Sequence, residues 1–318
     1  MASHFVISLD FELAWGLRDI APADELQGAM AEVPTAIHGM LDVFRERELH
    51  ATWASVGMLF AADDGEWQRR QPAVAPGYHD RALDPYLDGP TPGADRYAPE
   101  LLRTIDATPH QEVGTHTFSH FYCLEAGASL EAFDADLALA QASAHDLLGH
   151  PLRSIVFPRN QYSEAHLERL TAHGITSYRS NPTQWMYAPR ATGEHRRRDR
   201  IARLADTYLP VGSRRGSVSR RHHPGLVDVP ATRFLRAWSP RNRWLTRWQL
   251  RRIRHEALAA ARHGRDYHLW WHPHNFGRHT PENLSLLHRV ADIVDEARAL
   301  GMQSATMAEV AAATEASC

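Results

Sequence analysis

The chain has 318 residues, 43% of them hydrophobic, and a formal net charge of −3 with histidine neutral. That length suits one large α/β barrel or two smaller domains, and the charge excludes a nucleic-acid partner recognised by the whole molecule. Two cysteines, Cys123 and Cys318, exclude a disulfide framework and fit a reducing compartment. All 35 basic residues are arginine, and about half of them fall between positions 196 and 254. No apolar run reaches membrane-spanning length. Met1-Ala2-Ser3-His4 leads into a strand with no basic and apolar leader, so the expectation is a cytoplasmic protein, with peripheral membrane contact open.

Residues 5–9 read as a strand ending at Asp10. Asp10-Phe11-Glu12 sets two carboxylates on one side of extended chain. A helix is predicted over 31–49, with Val33, Ile37, Met40, Leu41, Val43 and Phe44 as its apolar face. Residues 51–57 form a second strand. The Gly-, Pro-, Asp- and Arg-rich stretch 61–99 reads as a long substrate-facing insertion. A short helix over 99–105 precedes a third strand, 112–115, which runs into Gly114-Thr115-His116-Thr117-Phe118-Ser119-His120. Histidines four apart share a face if the chain turns helically there, and two converging imidazoles are the usual start of a divalent metal site. With 21 histidines such pairs also arise by chance; the strand-end position sets this one apart.

A helix over 129–148 is closed by Gly149. The fourth strand, 153–157, ends in Pro158-Arg159-Asn160-Gln161-Tyr162. A helix over 163–173 stops at Gly174, and 175–179 is the fifth strand. Periodicity is poor from 180 to 219. Residues 226–230 form a sixth strand. A basic helix over 243–261 has Trp244, Leu245, Trp248, Leu250 and Ile253 as apolar members. The apolar strand 267–271 ends at His272-Pro273-His274-Asn275. Thr280 as N-cap with Pro281 starts the next helix, and Thr306 with Glu309 makes a capping box for the last.

About seven strand–helix units without a linker fit a single-domain α/β barrel better than two domains. A doubly wound sheet is the alternative, without a Gly-rich phosphate fingerprint after its first strand. In a barrel the ends carrying Asp10/Glu12, His116/His120, Arg159/Asn160 and His272/His274 converge on one face. One or two acids and two histidines are a standard set for a hydrolytic metal with open positions.

These motifs, in order over roughly residues 4–310, resemble the polysaccharide deacetylase family. Ser8-Leu9-Asp10-Phe11-Glu12 corresponds to its first motif and Ala51-Thr52-Trp53 to its second strand. Gly114 to His120 is close to its metal-binding histidine motif. Phe157-Pro158-Arg159 is similar to its arginine motif, and Leu269-Trp270-Trp271-His272-Pro273-His274 to its final histidine motif. The resemblance implies a distorted (β/α)7 barrel over residues 1–318 and metal-dependent removal of an N-acyl group, acetyl or formyl, from an amino sugar. His116 and His120 would be metal ligands, Asp10 the general base, Arg159 the group orienting it and His272 the general acid. The family commonly has two adjacent Asp in the first motif, base then ligand. Phe11 stands in the second place here, so Glu12 becomes the ligand, with Asp10 on the metal as the open alternative. A backbone N–H near Asn160 to Tyr162 would stabilise the oxyanion.

Asn160, Tyr162, His274 and Trp185 are the candidate substrate-binding residues, His274 being also the alternative acid or a satisfied neighbour of it. Trp15, Trp53 and Tyr178 are further aromatics, each equally at home in a core. The donor set suits Zn2+, with cobalt, nickel, manganese or iron as other fits. The expected substrate is a nucleotide diphosphate- or polyprenyl-linked precursor of lipopolysaccharide O-antigen or capsule. The arginines between 196 and 254 would suit the diphosphate or an anionic membrane face. The competing readings are an amidohydrolase on a small non-sugar amide and a catalytically lapsed, sugar-binding barrel.

Overall fold

A computed structural model describes residues 3–19, 30–84, 86, 96–194, 197–209 and 216–317, without the side chain of Arg200. Strand β1 (His4–Phe11) is buried at every position. It lies between two parallel neighbours, β2 (Ala51–Ser55) and the apolar β9 (Tyr267–Trp271). The sheet continues from β2 through β3 (Gln111–Thr115), β4 (Ser154–Ile155), β5 (Ser177–Tyr178) and β7 (Leu226–Asp228), all parallel, and from β9 to β8 (Arg233–Phe234).

Strands β7 and β8 are two ends of one extended stretch. The N–H groups of Val229 and Ala231 donate to Tyr178 and Ser180, and those of Thr232 and Leu235 to His268 and Trp270. That stretch therefore bonds β5 on one side and β9 on the other, and closes the sheet. Counting β7–β8 as one stave, β1, β2, β3, β4, β5, β7–β8 and β9 make a distorted (β/α)7 barrel. The distortion comes from the two-residue ladders at β4 and β5. The hairpin strand β6 (Arg220–His223) pairs antiparallel to β7, and β10 (Gln303–Ala305) pairs with the start of β1.

The period-two alternation of β1 sorts its side chains. Phe5, Ile7, Leu9 and Phe11 face the surrounding helices, whose layer includes all six apolar residues expected on the helix Val33–Glu46. Phe44 there meets Trp53 and Trp271 edge-on at 6.1 and 6.3 Å. Burying each such side chain is worth about 2 kcal/mol. Val6, Ser8 and Asp10 face the lumen. Its lower end is apolar, built from Val6, Ala54, Val156, Val227 and Val229 and plugged by Met307 and Val310 of the last helix. Polar chemistry is left for the carboxyl ends of the strands.

Several expectations need correction. The stretch 180–219, expected to lack regular structure, contains a helix, Arg197–Tyr208, and the hairpin strand β6, which the sequence reading did not place, follows it. On the helix Arg243–Arg262, Leu250 and Ile253 are buried, but Trp244 is 72% and Trp248 50% exposed. His279, in the left-handed region, precedes the helix Thr280–Arg298, and the Thr280 hydroxyl donates back to Phe276 instead of capping. Within the insertion, Trp67, Tyr78 and Leu83 are buried and the Tyr78 hydroxyl accepts the Tyr122 N–H; residues 87–95 and Cys318 lie outside the described residues. The Gly149 stop and the Thr306–Glu309 capping box form as expected.

Candidate metal and catalytic centre

Asp10 ends the lumenal row of β1, and Glu12 follows it into a 3-10 turn, Leu13–Gly16. The turn folds back so tightly that a Cβ on Gly16 would lie 2.0 Å from the Glu12 carboxyl carbon. Across the lumen, His116 leaves β3 with its N–H on Ser55 O. The segment 116–120 is no helical turn, contrary to the sequence expectation. Thr117 (φ 63°) and His120 (φ 57°) are left-handed, a conformation that costs non-glycine residues energy and recurs at functional sites. Two supports hold it. Gly57 lets Phe118 approach, since a Cβ there would lie 2.7 Å from the Phe118 Cα. Buried Asp136 accepts the N–H of Phe118 at 2.6 Å and of Ser119 at 3.0 Å.

This loop brings the two imidazoles to 5.0 Å between centroids. Their Nε2 atoms stand 3.4 Å (His116) and 3.0 Å (His120) from Glu12 Oε2. Potential ligand atoms of Glu12, His116 and His120 all lie within 4.8 Å of one another. His116 Nδ1 lies 2.7 Å from Val156 O, a contact that fixes the ring with Nε2 toward Glu12. Burial pulls His120 down to about 4, so it is neutral at neutral pH. Burial alone would raise Glu12, but His272, His116 and His120 outweigh it and hold the carboxyl well below its usual range. A carboxylate facing two imidazoles in a buried pocket is a donor set that fits a divalent cation.

Arg159 does not orient Asp10. Left-handed itself (φ 53°), it turns away to Asp19 and Thr192 and covers the Tyr122 ring at 4.5 Å. The orienting group is Arg179, one residue past β5 and fully buried. Its guanidinium grips Asp10 bidentately at 2.7 and 2.9 Å, donates to Ser8 Oγ at 3.0 Å and to Asn160 Oδ1 at 3.2 Å, and lies over Trp270 at 4.2 Å. Ser8 Oγ is in turn 2.8 Å from His268 Nε2, whose Nδ1 faces Val229 O. Burial opposes ionisation of Asp10, but Arg179 and the neighbouring His116 and His272 lower it overall. The available signal was period: Ser177 faces the lumen, so Arg179 must as well.

His272 Nε2 lies 3.6 Å from Glu12 Oε1 and 3.9 Å from Asp10 Oδ2, with a quarter of its side chain exposed. His274 is buried beside it, 3.9 Å from Glu12, and burial pulls it down to about 4. Asn160 touches the centre through Arg179. Tyr162 does not reach the centre: it packs on Phe157 and on outward-facing Tyr178, and accepts the Asn181 N–H. Trp185 is half exposed beneath Arg198, while Trp15 and Trp53 are core. The N–H groups of Asn160 and Gln161 already donate to Phe157 and Pro158, so neither is a free oxyanion donor.

Residues 27–178 match the family model for polysaccharide deacetylase. Similar solved structures include a Mycobacterium smegmatis protein assigned as a polysaccharide deacetylase, 14% identical, covering 100% of this chain and 92% of that one with a TM-score of 0.64. A GH57-type branching enzyme from Pyrococcus horikoshii is 14% identical over 97% and 70% of the two chains, with a TM-score of 0.57. Puue allantoinase is 11% identical over 99% and 90%, with a TM-score of 0.54. At these identities the likeness is one of fold. Among curated proteins no match was found.

Proposed function

We propose, from the match of residues 27–178 to the polysaccharide deacetylase family model, that the chain is a member of that family and a hydrolase that removes an N-acyl group from an amino sugar, with residues 1–318 acting as one catalytic domain. The observation that carries the reading is the junction of the Glu12–His116–His120 triad with Asp10 and His272 at one strand-end face. A divalent cation held by the triad, Zn2+ by its donors, supplies the charge that polarises the amide carbonyl and acidifies water. Asp10, kept ionised and fixed by Arg179, accepts the water's proton. His272, open to solvent and within 4 Å of both acids, protonates the leaving amine. Base and acid must hold opposite protonation states, which gives a bell-shaped pH profile for kcat/KM.

The finer reading is an acetylated or formylated amino sugar on a nucleotide diphosphate or polyprenyl phosphate, a cytoplasmic precursor of lipopolysaccharide O-antigen or capsule. Arginines near His272 that have no carboxylate partner among the described residues support it. Exposed Trp244 and Trp248, flanked by Arg243, Arg247 and Arg251, support peripheral contact with an anionic membrane face. No helix among the described residues is long and apolar enough to cross a membrane. A substrate panel tests the proposal: metal-dependent release of acetate or formate from diphosphate-linked amino sugars is expected. Turnover confined to small non-sugar amides would contradict it.

A further inference from the structure

The His272 ring packs on Phe234 at 5.7 Å, and Phe234 opens into a cavity of about 610 Å³. Arg236, Arg241 and Arg278 line it, together with Trp238 and His279, and no carboxylate is among the described residues of its wall. Other arginines of the 196–254 stretch have carboxylate partners. Arg233 and Arg252 are buried against Glu256, and Arg254 pairs with Glu296. The three cavity arginines form no ion pair among the described residues, and the Arg236 Nε is buried without a hydrogen-bond partner. Three like charges around one void repel unless an anion sits among them.

Two buried amides hold the walls in place. Gln249 accepts the Arg236 N–H and donates to the Arg236 carbonyl, both at 3.0 Å. Asn283, fully buried, accepts the Trp238 N–H at 2.7 Å and donates to the carbonyls of Arg278 and His279 at 2.9 and 3.2 Å. One side chain thus ties the loop after β8 to the turn after β9. The arginines stand on a frame fixed before any ligand arrives, which lowers the entropic cost of binding.

We propose that this cavity is a phosphate site that takes the diphosphate of the substrate and delivers the attached acylamino sugar to His272. The assignment rests on the deacetylase reading for what lies beyond the phosphate, but the anion site stands on its own geometry. Planar guanidinium forks match phosphate oxygens, and each charge-assisted contact is worth about tenfold or more in affinity.

The test is a calorimetric titration of the metal-loaded protein with inorganic pyrophosphate, a nucleoside diphosphate and a short prenyl diphosphate. Saturable pyrophosphate binding is expected, weakened at least ~10-fold in Arg236→Gln and in Arg278→Gln and by raised salt, with full metal content reporting that each variant is folded. Equal affinity for all three probes supports recognition of the diphosphate alone; tighter binding of one adds its carrier to the site. With a diphosphate-linked substrate, Arg236→Gln should raise KM at least ~10-fold while kcat changes little. No saturable binding, or binding that both variants leave unchanged, overturns the cavity assignment even if a neutral acylamino sugar is hydrolysed. Pyrophosphate binding in a protein that hydrolyses no acylamino sugar would sink the deacetylase reading and leave the anion site.

Discussion

Gly16 serves the centre by lacking a side chain. An alanine there would put its Cβ on the Glu12 carboxyl group, so Gly16→Ala is expected to displace one of three ligands. Elemental analysis should find bound metal reduced at least ~10-fold; stoichiometric metal in that variant would mean Glu12 is not needed. Arg179 and Arg159 offer a sharper comparison. Arg179→Ala would leave Asp10 buried and unpaired, at a cost of about 3–5 kcal/mol, and risks unfolding. Arg179→Lys keeps the charge but loses the fork, and kcat should fall on the order of 100-fold. Arg159→Lys, acting on Asp19 and Thr192, should change kcat only a few-fold. Equal effects would remove Arg179 from its role.

The elements explain what the sequence could and could not disclose. Asp10 with Glu12, and His116 with His120, are short-range pairs at strand ends, so spacing marked them as candidates while their roles came from the family resemblance. Arg179 was not, because its partner lies 169 residues away and only the closed barrel brings them together. The histidine loop was misjudged as helical because its geometry comes from left-handed Thr117 and His120, Gly57 and Asp136, none of which marks it locally. On the helix Arg243–Arg262 both apolar stripes obey a helical period, and period does not say which one meets the barrel. The lumenal network also sets a pH dependence. Burial pulls His268 down to about 3, so the folded state resists a proton that the unfolded chain accepts below about 6.5. Its contribution is complete above that pH and is lost as pH falls toward 3. Asp136, raised to about 6 by burial, acts oppositely between 6 and the ordinary aspartate value of 3.8. With His120 and His274 depressed as well, the histidines dominate. The melting temperature should fall between pH 7 and 5, with a shallower slope in His268→Gln. A flat profile, or one that His268→Gln leaves unaltered, would contradict this.

At the scale of the whole molecule, a net charge of −3 conceals a divided surface. The helix Arg243–Arg262 follows the carboxyl end of β8, so its first turns stand at the same end of the barrel as the catalytic cluster. Trp244 and Trp248 lie one turn apart there, beside Arg243, Arg247 and Arg251. A second copy would face this surface with the same positive charge, whereas anionic lipid complements it. Sedimentation with phosphatidylglycerol vesicles should carry the protein down, phosphatidylcholine should not, and Trp244→Ser with Trp248→Ser should abolish the difference. Equal behaviour toward both lipids would rule out the contact.

The measurement that bears most directly on the account is the metal content of the purified protein beside His116→Ala and Glu12→Ala. One divalent ion per chain, lost in both variants, is the predicted result. Metal lost only with His116→Ala would put Asp10 in the coordination shell and leave Arg179 holding a ligand rather than a base. A wild type that takes up no metal when it is supplied would contradict the central claim.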